Sequence, residues 1–193
     1  MLGAEQLQAP KIEYGALSPA LIVLGAAVLG IVLEAFLPRK SRYGAQLVLT
    51  ALGMAGAFAA LIGLALSGHG SSKAAIAGMG AVAVDGPALF LQGIILLVGL
   101  VSVFVFAERR LEPLAHGARV DSFAAQPASV PGGEGEREAT RAGWTTTEVF
   151  PLLLFAVGGM LIFPAANDLL TLFIALELFS LPLYLLCALA RRR

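Results

Sequence analysis

Charge is scarce in this chain. Asp, Glu, Lys and Arg make up 13% of its 193 residues, against 58% hydrophobic, where an ordinary soluble domain carries roughly 25% charge. Cysteine is all but absent. Cys187 stands alone, which excludes a disulfide framework, a zinc pair and an iron–sulfur ligand set, and leaves it as a small apolar packing residue. Lysine occurs only at positions 11, 40 and 73, and histidine only at 69 and 116. Both histidines read as solvated loop residues with no second ligand at metal spacing. There is no Gly-rich phosphate loop, no Ser/His/Asp grouping and no basic–aromatic patch for nucleic acid. The N-terminus lacks the positive region of a signal peptide.

What remains is long apolar runs. A mean hydropathy of +0.85, with charges absent over long stretches and crowded into short ones, indicates a multi-spanning membrane protein. The expected fold class is an all-α membrane protein with five transmembrane helices. Helices of about twenty apolar residues are expected over 17–37, 45–66, 88–106 and 169–190, and a shorter one over 149–163. Asp85-Gly86-Pro87 reads as the cap and first turn of the third. Thr145 and Glu148 have capping-box spacing before the fourth, with Pro151 in its first turn. Pro164 to Asp168 is short enough to make the fourth and fifth helices an antiparallel hairpin.

Within the spans a few residues stand out. Gly53 with Ala57, and Ala59 with Gly63, are spaced for close approach of helix backbones. Gly158-Gly159 marks close packing or bending. Gln92 reads as helix–helix glue. Glu34 sits near the basic end of the first helix, so it is expected at the headgroups or paired with Arg39 or Lys40. The segment between the second and third spans, 67–84, reads as a Gly/Ser/Ala loop. Residues 107–144, rich in Pro, Gly, Glu and Arg, read as a solvent-exposed, partly disordered loop. Eleven of the thirteen Lys and Arg residues fall on one side of this arrangement, which by the positive-inside rule puts the N-terminus outside and the C-terminus in the cytoplasm. The organisation is therefore 1–106, transmembrane helices 1–3; 107–147, a flexible cytoplasmic loop; and 148–193, a transmembrane hairpin.

The fifth helix carries the candidate site. Glu177 lies about 12 Å from its outer end at 1.5 Å per residue, and an acid held in hydrocarbon is a functional candidate by default. Ser180 and Tyr184 follow three and seven residues later on the same face, making one narrow polar stripe expected to face the protein interior or a hydrated path. Hydrocarbon favours the neutral acid and a nearby cation favours the anion, so a movable lysine opposite such a group can shift its proton. Pro182 cannot donate to the carbonyl of Leu178, so bending or hydration is expected there. The bland alternative is a structural glutamate, permanently protonated or paired with a neighbouring helix.

The run from Phe150 to Leu185, with its Asn167-Asp168-Leu169-Leu170 turn and Leu176-Glu177-Leu178-Phe179-Ser180-Leu181-Pro182-Leu183-Tyr184 core, resembles subunit N of bacterial NADH-quinone oxidoreductase, respiratory complex I. Val84-Asp85-Gly86-Pro87-Ala88-Leu89-Phe90 resembles the start of that family's third helix. The resemblance implies an antiporter-like, proton-translocating membrane-arm subunit, multi-pass in the bacterial cell membrane. Its partners are then other membrane-arm subunits and the lipid bilayer, with no nucleic acid. It implies no cofactor on this chain, NADH and quinone being used by the whole complex, of which this is a non-redox subunit. Glu177 matches the family's glutamate that modulates a lysine. The family fold has about fourteen spans in two inverted repeats with its lysines on later helices, so this chain looks like an N-terminal portion, inactive alone, whose hairpin 148–193 starts the antiporter-like domain. The alternatives are a subunit of an Mrp-type cation/proton antiporter and a non-transporting membrane scaffold.

Overall fold

A computed structural model describes residues 13–68, 75–107 and 147–189. Five α-helices form among them: α1 (Tyr14–Phe36), α2 (Arg39–Leu66), α3 (Gly86–Ala107), α4 (Val149–Ile162) and α5 (Leu169–Leu189). The protein is an all-α membrane protein. Four of these helices are long and apolar enough to cross a bilayer, and α4, continued to Ala165 by a 3-10 turn, is the shorter fifth.

The helices start and stop where local chemistry dictates. Pro38 separates α1 from α2; a proline cannot donate the next intrahelical bond and pushes its predecessor out of the α region. The Asp85 carboxylate accepts the N–H of Ala88 at 2.9 Å, capping α3. Asp168 does the same for α5, accepting from the Thr171 N–H at 2.7 Å and the Thr171 hydroxyl at 2.8 Å. Those two bonds, the backbone one first, hold the exposed Asp168 carboxyl below the usual carboxylate range. At α4, Glu148 occupies the cap position without a side-chain cap bond, and Thr145 lies outside the described residues. Pro182 sits inside α5, which runs through it as one helix.

Packing sets α4 at the centre. Ten of its fourteen residues are buried, and it contacts α1, α2, α3 and α5. In α1 the buried residues are Pro19, Val23, Ala26, Ala27 and Gly30, a stripe at helical spacing. Across it lies Gly53 of α2, where a Cβ would come within 2.7 Å of the Ala26 Cβ, so the expected small-residue approach is made at Gly53 and the fully buried Ala57. The second pair departs from expectation: Ala59 and Gly63 are exposed, Gly63 with nothing near its Cβ position. Their spacing permits close approach, but they lie on the outer face of α2. Gln92 does bridge helices, its side-chain N–H donating to the Leu161 carbonyl at 2.8 Å.

The segment before α3 is more ordered than a Gly/Ser/Ala loop. Ala75–Ala77 and Val82–Val84 pair as an antiparallel hairpin, β1 and β2. Its turn passes through left-handed backbone at Gly78, Met79 and Gly80, which glycine adopts freely. The hairpin is stitched to the α4–α5 connection: Asn167 donates its N–H to the Ala81 carbonyl at 2.9 Å and its side-chain N–H to the Gly80 carbonyl at 2.8 Å. This backbone pairing satisfies the polar groups that a tight turn at a membrane edge leaves open. His69, Lys73, His116 and the loop 108–146 lie outside the described residues.

Candidate functional site

The position of α5 follows from its contact with α4. A Cβ on Gly159 would lie 2.6 Å from the Phe179 N and 2.9 Å from the Leu178 carbonyl carbon, so the two backbones touch beside Glu177. Phe163 and Phe179 then meet edge to face at 5.7 Å, an arrangement the ring quadrupoles favour. The Gly158-Gly159 pair thus serves close packing, within a continuous helix. Gly158 faces the Leu24 side chain of α1.

The buried residues of α5 are Ala175, Pro182 and Leu186. At about 100° per residue they fall on one stripe, and Glu177, Ser180 and Tyr184 centre about 180° from it. The three candidates do share a face, but it is the face turned away from α4. Glu177 and Ser180 are half-buried, while Tyr184 is 69% exposed. Among the described residues no hydrogen bond or ion pair reaches the Glu177 carboxyl, nor does the structure join it to Ser180 or Tyr184. Within the described bundle the stripe is turned away from α4, and the interior or hydrated path expected opposite it falls outside the described residues. The stripe lies at the bundle's edge, because the small residues that α4 accommodates are on the other side of the helix. Cys187 is exposed as well, not packed as its apolar character suggested. No group of three or more His, Cys, Asp or Glu side chains comes together among the described residues.

A second acid tells a different story. Glu34, expected at the headgroups, has only 18% of its side chain exposed and pairs with Arg42 at 3.1 Å. Its carboxylate also accepts the Thr147 hydroxyl at 2.7 and 2.8 Å and the Gln46 side-chain N–H at 3.1 Å. Arg42 donates in addition to the Leu37 carbonyl at 2.6 Å, and Gln46, fully buried, to the Gly30 carbonyl at 2.7 Å. Glu34 is thus the hub where α1, α2 and Thr147, two residues before α4, meet. Charge-assisted bonds of this kind are the strong ones. The side chains of Arg39 and Lys40, the partners expected from the sequence, lie outside the described residues. The helix turn after Pro38 brings Arg42 back over the end of α1. Gln46 and Thr50 carried a readable signal, as isolated polar residues in an apolar run.

The same chain has close relatives of known assignment. It is 69% identical over 185 residues to a protein named NADH-quinone oxidoreductase subunit N 3 from Streptomyces griseus, a match covering 96% of this chain and 33% of that protein. It is 54% identical over 194 residues to NADH-quinone oxidoreductase subunit N of Mycobacteroides abscessus, covering 97% of this chain and 35% of that one. The subunit N of Mycobacterium tuberculosis H37Rv is 53% identical over 196 residues, with 97% and 36% covered. The chain is a homologue of NADH-quinone oxidoreductase subunit N. It spans about a third of the length of these relatives. No family model matches it.

Proposed function

We propose that this chain forms part of a proton-translocating subunit in the membrane arm of an NADH:quinone oxidoreductase, with Glu177 as the group that takes up and releases a proton. The observation that carries the reading is a carboxyl about 12 Å into an apolar helix, with no partner among the described residues, in a chain 69% identical to a subunit N. A purely structural glutamate would be expected to find donors in its own bundle, as Glu34 does. Glu177 instead faces outward from α4, where the rest of a subunit three times as long would lie against it. In that setting hydrocarbon favours the neutral acid, and a cation brought to within about 4–6 Å favours the anion, so movement of the cation drives the proton on or off. Ser180 and Tyr184, on the same face, offer hydroxyls for passing the proton along. NADH oxidation and quinone reduction belong to other parts of the complex, and this chain binds neither. In this reading the protein sits in the bacterial cell membrane with its C-terminal arginines on the cytoplasmic side, and the hairpin 148–193 opens the proton-translocating domain. The name shared by the three relatives favours this reading over an Mrp-type antiporter or an inert scaffold.

The test is Glu177→Gln in the complete enzyme, measured in inverted membrane vesicles. NADH-driven proton uptake per electron is expected to fall, with the subunit still assembled. An unchanged proton yield contradicts the reading.

A further inference from the structure

Two polar atoms in the α1–α2–α4 junction have no partner. The side-chain oxygen of Gln46 and the hydroxyl of Thr50 are both buried without a hydrogen bond, and both residues are fully inaccessible. The orientation of the Gln46 amide is fixed by its neighbours. Its nitrogen donates to two acceptors, the Gly30 carbonyl at 2.7 Å and the Glu34 carboxylate at 3.1 Å, so turning the amide over would set oxygen against oxygen. Its Oε1 therefore points the other way, and no donor among the described residues reaches it. A Cβ on Gly30 would lie 3.1 Å from this oxygen. An acceptor left bare in an apolar bundle is strongly disfavoured.

Thr50 lies four residues after Gln46, one turn further along the same face of α2. Residues at this spacing are neighbours on a helix surface, so two unpartnered polar groups lie one turn apart on the same buried face. We propose that the junction binds a water molecule that donates to Gln46 Oε1 and is held by the Thr50 hydroxyl. The water completes a polar ladder of Arg42, Glu34, Gln46 and Thr50. That ladder runs eight residues along α2, about 12 Å, from the end of the bundle where α1 stops into its apolar interior. Internal waters of this kind typically bridge buried polar groups that the protein alone leaves unsatisfied. A methyl at Gly30 would crowd this place, 3.1 Å from the amide oxygen and 3.2 Å from the Pro151 Cβ.

The test is high-resolution cryo-electron microscopy of the complete enzyme, unmodified and with Thr50→Val. In the unmodified enzyme a water-sized peak is expected about 2.6–3.2 Å from both Gln46 Oε1 and Thr50 Oγ1. In Thr50→Val the peak is expected to be lost while the Glu34–Thr147 and Glu34–Arg42 contacts stay in place. A dry contact between resolved side chains in the unmodified enzyme overturns the proposal on its own, whether or not the variant assembles. So does a peak that persists unchanged in Thr50→Val. Neither outcome depends on what Glu177 does.

Discussion

Glu34 and Glu177 are both glutamates in apolar helices, and their surroundings are opposite. Glu34 is enclosed by Arg42, Gln46 and Thr147, each donating to it. Glu177 has no such partner among the described residues and lies on the face of α5 turned away from α4. The difference is one of local packing. Around Glu34 three segments converge, and their donors replace the water that the carboxylate gave up. Among the described residues, α5 packs mainly on α4, on the side away from Glu177. A fully satisfied acid is costly to disturb and suited to holding helices together. An unsatisfied one is suited to change, because its charge state depends on what approaches it.

Several substitutions break or sharpen this contrast. The largest structural effect is expected from Gly159→Ala, because the new methyl would meet the backbone of α5 at 2.6 Å and no rotamer change relieves it. A cost of about 3 kcal/mol, at the upper end for overpacking, should lower the thermal midpoint of inactivation of the assembled enzyme. Gly25→Ala, with nothing within 4 Å of its Cβ position, should leave that midpoint unchanged. Next comes Glu34→Ala, which strands Arg42, Thr147 and Gln46. The expected loss is roughly 2 kcal/mol, seen as faster proteolysis near Thr147 in membrane preparations. Glu34→Gln should be milder, since the side chain keeps one acceptor oxygen. Gln92→Leu removes one bond between α3 and α4 and should cost about 0.6 kcal/mol, the average for such contacts in membranes, again read from the thermal midpoint.

The smallest effect is at the start of α5. The Asp168 carboxyl is held below its usual range by Thr171, so its contribution is present above the ordinary carboxylate pKa. That contribution is lost as pH falls through the lowered value. Asp168→Ala should therefore speed amide hydrogen exchange at Leu170 and Thr171 at neutral pH, and the difference from the unmodified protein should close in strong acid.

Much of this architecture was legible in the residues. The apolar runs and their breaks at Pro38, Asp85 and the Pro164–Asp168 turn placed the helices, because length and hydropathy dominate in a bilayer, although α2 begins at Arg39, well before the expected 45, its polar first turn being outside the apolar run. Gln92 and Gly158-Gly159 were readable as contacts, since a lone amide or a glycine pair in a span has few other uses. The hairpin over 75–84 was hidden by its small residues, which give no clear alternation, and its stability comes from Asn167 far away in sequence. Ala59 with Gly63 shows the opposite failure: spacing says which residues can approach a neighbour, not which face the neighbour occupies. The Thr147 partner of Glu34 was hidden as well, being 113 residues distant. The stripe of Glu177, Ser180 and Tyr184 was correctly assigned to one face, but only tertiary packing reveals that the face is turned from α4.

The central claim is that one acid holds the bundle together and the other moves a proton. It is tested most directly by measuring protons translocated per electron in membrane vesicles carrying Glu34→Gln or Glu177→Gln. The account predicts that Glu34→Gln, even at reduced enzyme levels, keeps the unmodified ratio, and that Glu177→Gln lowers it. Loss of the ratio in Glu34→Gln with an unchanged ratio in Glu177→Gln would contradict it.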